Sequence, residues 1–319
     1  MTEKEKYKLL CNNEFSIPIY SRDWWLDCVC GASNWDVLLC IKNGEIEAAM
    51  PYYVPCRGVI SMPPYAQTMG IWFNPTFEDK RYSRDLFRKQ TICEGFIARL
   101  PSHGYFLQHF HHSFTDWLPF YWAGFRQTTR YTYVLPDIAK PDEIRNELSE
   151  NIIRNIQKAT NKYRLTVRRN VPTDIFLKLN AQVYQRQGMK PYQPAILMRL
   201  INLSRSRGQG DIWGAYDAEN RLYAGVFVVW QETGACYIAG GYDAERQKSG
   251  GLALAMWTAI NDLSAPARSF NFAGSMIKGI AHFFRSFGAL QKPYFVVERG
   301  KLSLPVKIRM KFLTIIKGM

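Results

Sequence analysis

Residues 212–263 limit what this chain can fold into more than any other stretch of it. Two turn signals, Asp217-Ala218-Glu219-Asn220 and Thr233-Gly234, cut the stretch into three segments, 212–216, Leu222–Gln231 and 235–240. Apolar and aromatic residues dominate the segments, and such short connections predict an antiparallel meander. The middle segment is apolar on both faces, as a strand covered from both sides is. Behind the meander come Gly240-Gly241-Tyr242-Asp243 and Arg246-Gln247-Lys248-Ser249-Gly250-Gly251, then Leu252, Met256, Ile260 and Leu263 at the spacing of one helical stripe. A strand entering a helix through a glycine-rich turn suits an anion. Successive N–H groups can point inward, and the helix start adds roughly half a positive charge. With Arg246 and Lys248 beside it, the turn is a candidate pyrophosphate cradle. It carries neither the Gly-x-Gly-x-x-Gly nor the Walker order, and a plain connection capped by Ser249 is the alternative.

Elsewhere the pattern alternates helices with strands. Asn43-Gly44 supplies both residues of a type I′ turn, so 35–41 and 45–54 predict a hairpin. Ser21 can cap a helix reaching Gly31. Leu86, Cys93, Ile97 and Leu100 give a helix over 81–100, and 125–135 reads as a strand. The stretch 136–141, with a proline at each end, is the expected domain boundary. Beyond it, Ile152, Ile153, Ile156 and Ala159 mark a helix with a basic opposite face, 165–167 a short strand, Thr173 the cap of a helix running to Gly188, and 194–207 another helix. A strand at 270–272, a helix at 276–287 and a strand at 294–297 follow the meander and its helix. Both halves run helix, hairpin, helix, strand. The expectation is an α/β (α+β) protein of two domains, 1–140, completed by the 301–319 tail, and 141–300.

A chain of 319 residues accommodates two domains at roughly 100–200 residues each. Its 47% hydrophobic and 14% aromatic content excludes a disordered polymer. Seven cysteines without repeated spacing exclude a disulfide scaffold. Cys28-Val29-Cys30 is too tight for a redox pair, and Glu3-Lys4-Glu5-Lys6 opens the chain without the apolar run of a secretory leader, so a cytoplasmic location is expected. The formal net charge of +14 implies polyanionic company: a nucleic acid, an anionic membrane face, or a phosphorylated cofactor or substrate. The cations gather at Arg154, Lys158, Lys162, Arg164, Arg168 and Arg169, at Arg205 and Arg207, and in the tail at Lys301, Lys307, Arg309, Lys311 and Lys317.

In element order and in residues, 145–300 resembles the GNAT acyltransferase superfamily. In that family the loop after the fourth strand reads (Arg/Gln)-x-x-Gly-x-(Gly/Ala) and holds the pyrophosphate of acyl-CoA. This chain offers Lys248-x-x-Gly251-x-Ala253, with lysine in the first place. The likeness is sharper to the FemAB-like branch, which sets two GNAT-type domains in tandem. It rests on Gln157-Lys158-Ala159 opening the second domain, on Phe272-Ala273-Gly274-Ser275, and on Gly279-Ile280-Ala281-His282-Phe283-Phe284-Arg285-Ser286-Phe287-Gly288. The first half shares mainly the architecture.

The resemblance implies two domains, each a mixed, mostly antiparallel sheet flanked by helices. It implies transfer of an acyl group, acetyl foremost, from a CoA thioester to an amine on a cell-envelope saccharide or peptide precursor, with no metal. The donor would be held by Tyr237, Gly240, Arg246, Lys248, Ser249, Gly250 and Gly251. A backbone N–H near 237–240 would receive the oxyanion. Tyr242 or Asp243 would act as acid or base, and Ser275 would bind substrate; their plainer roles are a tyrosine packed beside a turn aspartate and a helix cap. In the branch members that use aminoacyl-tRNA, the stretch resembling Phe283 to Gly288 reads Phe-Lys-x-Gly-Phe, and its lysine is functionally important. Phe284 takes that place, with Arg285 the neighbouring cation. A phenyl ring cannot hold a phosphate or an oxyanion as an ammonium does, so transfer from tRNA is the second expectation. A precursor-binding protein without turnover is the third.

Three further segments stand out. His109 and His111 would share a strand face, but no third ligand is identifiable, so metal is not expected. Trp117-Leu118-Pro119-Phe120-Tyr121-Trp122 would line an acceptor pocket or pack between domains. Leu302, Leu304, Val306, Ile308, Phe312, Ile315 and Ile316 stand among lysines, so the tail could lie on an anionic membrane. Packing back onto the first domain is the preferred reading.

Overall fold

The computed structural model describes residues 1–186, 188–274 and 276–302. Two compact units result: Met1–Arg130 with residues 293–302, and Tyr131–Lys292. The tail beyond Leu302 and Ser275 lie outside the described residues.

In the first unit, α1 (Glu3–Asn13) opens with a capping box between Thr2 and Glu5. Then come α2 (Asp23–Cys30), the hairpin β1 (Trp35–Lys42) and β2 (Glu45–Cys56), β3 (Val59–Ser61), β4 (Trp72–Phe73), α3 (Tyr82–Arg99), β5 (Tyr105–His109) and α4 (Leu118–Trp122). Asn43 and Gly44 take φ 53 and 85, so the hairpin turns where the sequence placed it, pairing Lys42 with Glu45 and Trp35 with Tyr53. The helix expected from Ser21 starts instead at Asp23. Ser21 closes a preceding 3-10 turn, where its carbonyl accepts a hydrogen bond from the buried Tyr7 hydroxyl at 2.7 Å. β5 pairs in parallel with β3 and antiparallel with the last strand of the described residues. Met50, Ile60, Ile92, Phe96, Phe106, Phe110 and Phe120 form the core beneath α3.

The chain enters the second unit within β6 (Arg126–Leu135), upstream of the two prolines. There follow α5 (Pro141–Glu147), α6 (Glu150–Gln157) with a π turn at Lys158–Lys162, β7 (Thr166–Arg168), α7 (Thr173–Gln185), α8 (Pro194–Ser206), β8 (Gly210–Tyr216), β9 (Leu222–Gln231), β10 (Gly234–Tyr242), α9 (Gly251–Asp262), β11 (Phe270–Asn271) and α10 (Lys278–Arg285); β12 (Leu290–Gly300) returns to the first unit. Strand order in this unit is β7-β8-β9-β10-β11-β6. Every pair is antiparallel except β10 with β11. On one face α9 lays Ala253, Met256, Ala259 and Ile260 against Trp213, Val226 and Val228. On the other, Phe176 and Leu179 of α7 close on Gly225 of β9. The edge by β8 is pinned by Asp211, only 3% exposed, which receives Arg205 at 2.9 Å and Arg169 at 3.1 Å and also the N–H of Ile212.

Candidate functional site

β10 is where the second unit departs from regular sheet. Against β9 it pairs from Gly234↔Gln231 to Tyr242↔Ala224, with a bulge between Tyr237 and Ala239. Against β11 it pairs at two positions, Ala235↔Phe270 and Cys236↔Asn271. There β11 ends, and Ala273 and Gly274 follow with φ 56 and 57. From Tyr237 to Tyr242, β10 therefore runs on with no strand on that edge among the described residues. Backbone groups on such an edge must find other partners. The Gly240 carbonyl finds one in the amide of Asn180 on α7, at 2.8 Å. Helix and strand touch there: a β-carbon on Gly241 would stand 2.8 Å from the Leu179 carbonyl oxygen.

The connection into α9 is a 3-10 turn, Ala244–Ser249, followed by Gly250 at φ 82. No other residue fits at 250, because a β-carbon would run into the Asn155 carbonyl of α6. Ser249 is buried, and its hydroxyl accepts the Gly251 N–H at 3.2 Å. The Leu252 and Ala253 N–H groups lie in the first helical turn, where the helix offers them no acceptor. Lys248 is exposed beside them.

Two sequence candidates are committed elsewhere. Asp243 caps the 3-10 turn through the Glu245 N–H at 3.0 Å, and its other oxygen pairs with Arg246. Arg246 in turn lies 5.1 Å from the Tyr223 ring. Asp243 therefore acts as cap and counter-ion, and Arg246 is drawn towards it. Tyr242 lies under the Arg186 guanidinium at 4.0 Å. Burial pushes the Tyr237 phenol well above its ordinary pKa, keeping it neutral.

Where β10 and β11 part, one wall is aromatic. Phe284 of α10, 4% exposed, meets Tyr237 at 5.8 Å, Phe272 at 5.1 Å and Tyr133 at 6.4 Å. Arg285 beside it is exposed. Asn180, Arg186 and the Phe272–Phe284 contact were missed in the sequence. Asn180, sitting beside the apolar Phe176 and Leu179 of α7, was the one legible signal.

In the first unit the histidines go separate ways. His109 ends β5 with Nδ1 at 3.0 Å from the Gln67 carbonyl, while His111 pairs with the Ser113 hydroxyl at 2.8 Å. Among the described residues no group of three His, Cys, Asp or Glu is placed to hold a metal ion. Phe120 enters the core, and Tyr121 and Trp122 stay exposed. Burial pushes the His109 imidazole down to about 4, against its hydrogen bond with Gln67. An unfolded histidine titrates near ~6.5. The stability from neutral His109 is thus complete above about 6.5 and is lost as pH falls towards about 4. Thermal melts across that range are expected to show a decline that His109→Gln flattens; equal slopes would contradict it.

Residues 146–277 match the family model described as an acetyltransferase (GNAT) domain. No curated protein matches the chain in sequence. Among solved structures, FemX superposes with a TM-score of 0.67 over 98% of this chain and 99% of its own, at 11% identity. The C-terminal domain of a putative lysylphosphatidylglycerol synthetase from Agrobacterium fabrum does so at 0.51, covering 91% of each chain at 11% identity. A tandem GNAT protein from the clavulanic acid biosynthesis pathway gives 0.50, over 93% of this chain and 89% of its own, at 11% identity. The second unit thus carries a GNAT domain. Over nearly its whole length the chain shares the fold of FemX and of that tandem GNAT protein.

Proposed function

We propose that the protein is an N-acyltransferase that moves an acyl group, acetyl foremost, from a CoA thioester to an amine on a cell-envelope saccharide or peptide precursor. The observation that carries this reading is β10 outrunning β11 beside a glycine-started helix. The edge from Tyr237 to Tyr242 offers backbone N–H groups to the acyl oxygen as negative charge develops there. The start of α9, with Lys248, offers N–H groups and a cation to the pyrophosphate. The work asked of side chains is small, since a thioester held in place is attacked directly by an amine. The tandem GNAT protein of the clavulanic acid pathway is alike in fold and supports the reading.

Calorimetry with acetyl-CoA tests it. The wild type should bind, Lys248→Glu should bind about tenfold more weakly at low salt, and Gly251→Asp should not bind, because each puts negative charge where the pyrophosphate would lie. No heat with the wild type, or unchanged affinity in both variants, would sink the reading.

A specific observation favours aminoacyl-tRNA as the alternative donor. Arg154, Lys162, Arg164, Arg168 and Arg169 are exposed and Lys158 is half-buried along α6 and on to β7, a patch suited to a phosphate backbone. Phe284 opposes it. Salt-dependent binding that discriminates charged tRNA from an unrelated RNA would be needed.

A further inference from the structure

β11 ends on a residue whose side chain shapes the backbone that follows. Asn271 stands between Phe270 and Phe272, which enter the core beneath α9, so by strand alternation its own side chain points to the opposite face of the sheet. It is 9% exposed, and its Oδ1 accepts two hydrogen bonds, from the Ala273 N–H at 2.9 Å and from the Thr132 hydroxyl of β6 at 2.6 Å. Thr132 is buried too, so each polar group answers another that would be costly to bury unpaired. The bond to Ala273, two residues on, is the Asx arrangement, in which an asparagine side chain stands in for backbone and closes a turn.

The turn that it closes is strained. Ala273 and Gly274 take φ 56 and 57 in succession. Glycine enters that region freely, whereas alanine does so at a cost. Without the side-chain bond, the more favourable course for 273–274 is to stay extended. The register says where an extended chain would go. β10 and β11 pair in parallel at Ala235↔Phe270 and Cys236↔Asn271, so 272–274 would run on alongside 237–239. On its other side Phe272 keeps to the sheet, its N–H donating to the Tyr133 carbonyl of β6 at 2.9 Å. The chain thus leaves β10 while β6 still holds it, and the departure falls at Asn271.

We propose that Asn271 is a positioning residue that keeps the edge of β10 open, with Thr132 bracing it. Locking 273–274 in the left-handed turn stops β11 from zipping along 237–239 and reserves that edge for the thioester arm of the donor. The occupant of the gap rests on the acyl-transfer reading, while the lock is a property of the free chain. Asn271 touches no reacting atom and acts through the backbone that it holds away.

The test reads the edge directly and through the ligand. In hydrogen exchange of the full chain, Asn271→Leu, which keeps the bulk and removes the accepting oxygen, should slow exchange across 237–242 about tenfold, because the edge amides gain strand partners. A merely structural asparagine predicts the opposite sign, since a loosened sheet exchanges faster. In calorimetry the wild type should bind acetyl-CoA about a hundredfold more tightly than 3′-phospho-ADP, the nucleotide end of the donor alone. Asn271→Leu should cut that ratio about tenfold and leave 3′-phospho-ADP within about twofold. Asn271→Asp, which keeps the accepting oxygen, should hold the ratio near the wild-type value. Should Asn271→Leu not fold, Thr132→Val removes one of the two bonds at constant shape and should lower the same ratio about threefold. Faster or unchanged exchange, an unchanged ratio, an equal loss of both ligands, or an equal fall in Asn271→Asp would each overturn the lock. A wild type that binds neither ligand, with exchange slowed in Asn271→Leu, would overturn the acyl-transfer reading and leave the lock standing.

Discussion

Gly250→Ala is expected to destabilise the second unit by about 2–5 kcal/mol and to abolish binding of acetyl-CoA. Two costs add. Alanine at φ 82 meets its own carbonyl, at about 1–2 kcal/mol. The new methyl group also presses on the Asn155 carbonyl carbon, 2.8 Å away, and on its Cα at 3.2 Å. These are backbone atoms near the end of α6, whose chain continues directly into the π turn at Lys158–Lys162, so they cannot swing aside as a side-chain tip does. Relief has to come from shifting the start of α9, the part offered to the donor's pyrophosphate. Gly251→Ala is the control. Its β-carbon would meet the Leu165 Cδ1 at 3.2 Å and the Ala215 methyl at 3.5 Å, ordinary neighbours that can adjust, and its backbone is regular helix. A cost of about 1 kcal/mol or less is expected there. Urea denaturation followed by tryptophan fluorescence separates the two, and equal midpoints would contradict the packing described.

The contrast between those neighbouring glycines marks what could be read in the sequence. That a turn rich in glycine joined a strand to a helix was legible, because turn residues and hydrophobic period are local. Which glycine is irreplaceable was not, since the reason lies in Asn155, far back along the chain. The same division runs through the fold. The hairpin around Asn43-Gly44, the meander and the stripe of α9 depend on neighbours in sequence, and all three stand where the pattern put them. The parallel contact of β3 with β5 and the two-residue pairing of β10 with β11 are set by distant segments. Ser21 shows how a local rule is overridden: a good capping residue is drawn into the core because Tyr7 needs an acceptor for its hydroxyl. Asp243 and Arg246 show the limit for the site. Both were recognisable as chemically able, yet three residues apart on a tight turn they neutralise one another.

Phe284→Lys carries the other large expected effect, and it bears on the choice of donor. The FemAB-like resemblance sets a lysine at this position in the enzymes that use charged tRNA, so the substitution formally restores their motif. In this fold the position is interior: Phe284 is 4% exposed and packed among Tyr133, Tyr237 and Phe272. Truncating such a ring costs about 3–5 kcal/mol through lost burial and the cavity left behind. An ammonium in its place adds desolvation, because none of the three rings offers it a negative charge. The total is expected to exceed 4 kcal/mol, enough to leave the unit largely unfolded at 37 °C, and binding of charged tRNA should not improve. The penalty should also titrate. A buried lysine has its pKa lowered in the folded state, so the variant loses stability as pH falls below the unfolded value of ~10.4 and recovers as pH rises towards it. Urea midpoints for Phe284→Lys should therefore climb between about pH 7 and 10 relative to Phe284→Met, which changes the shape without adding a charge. If Phe284→Lys folds as well as Phe284→Met and gains affinity for charged tRNA, the aromatic wall is dispensable and the tRNA donor becomes the better reading of this site.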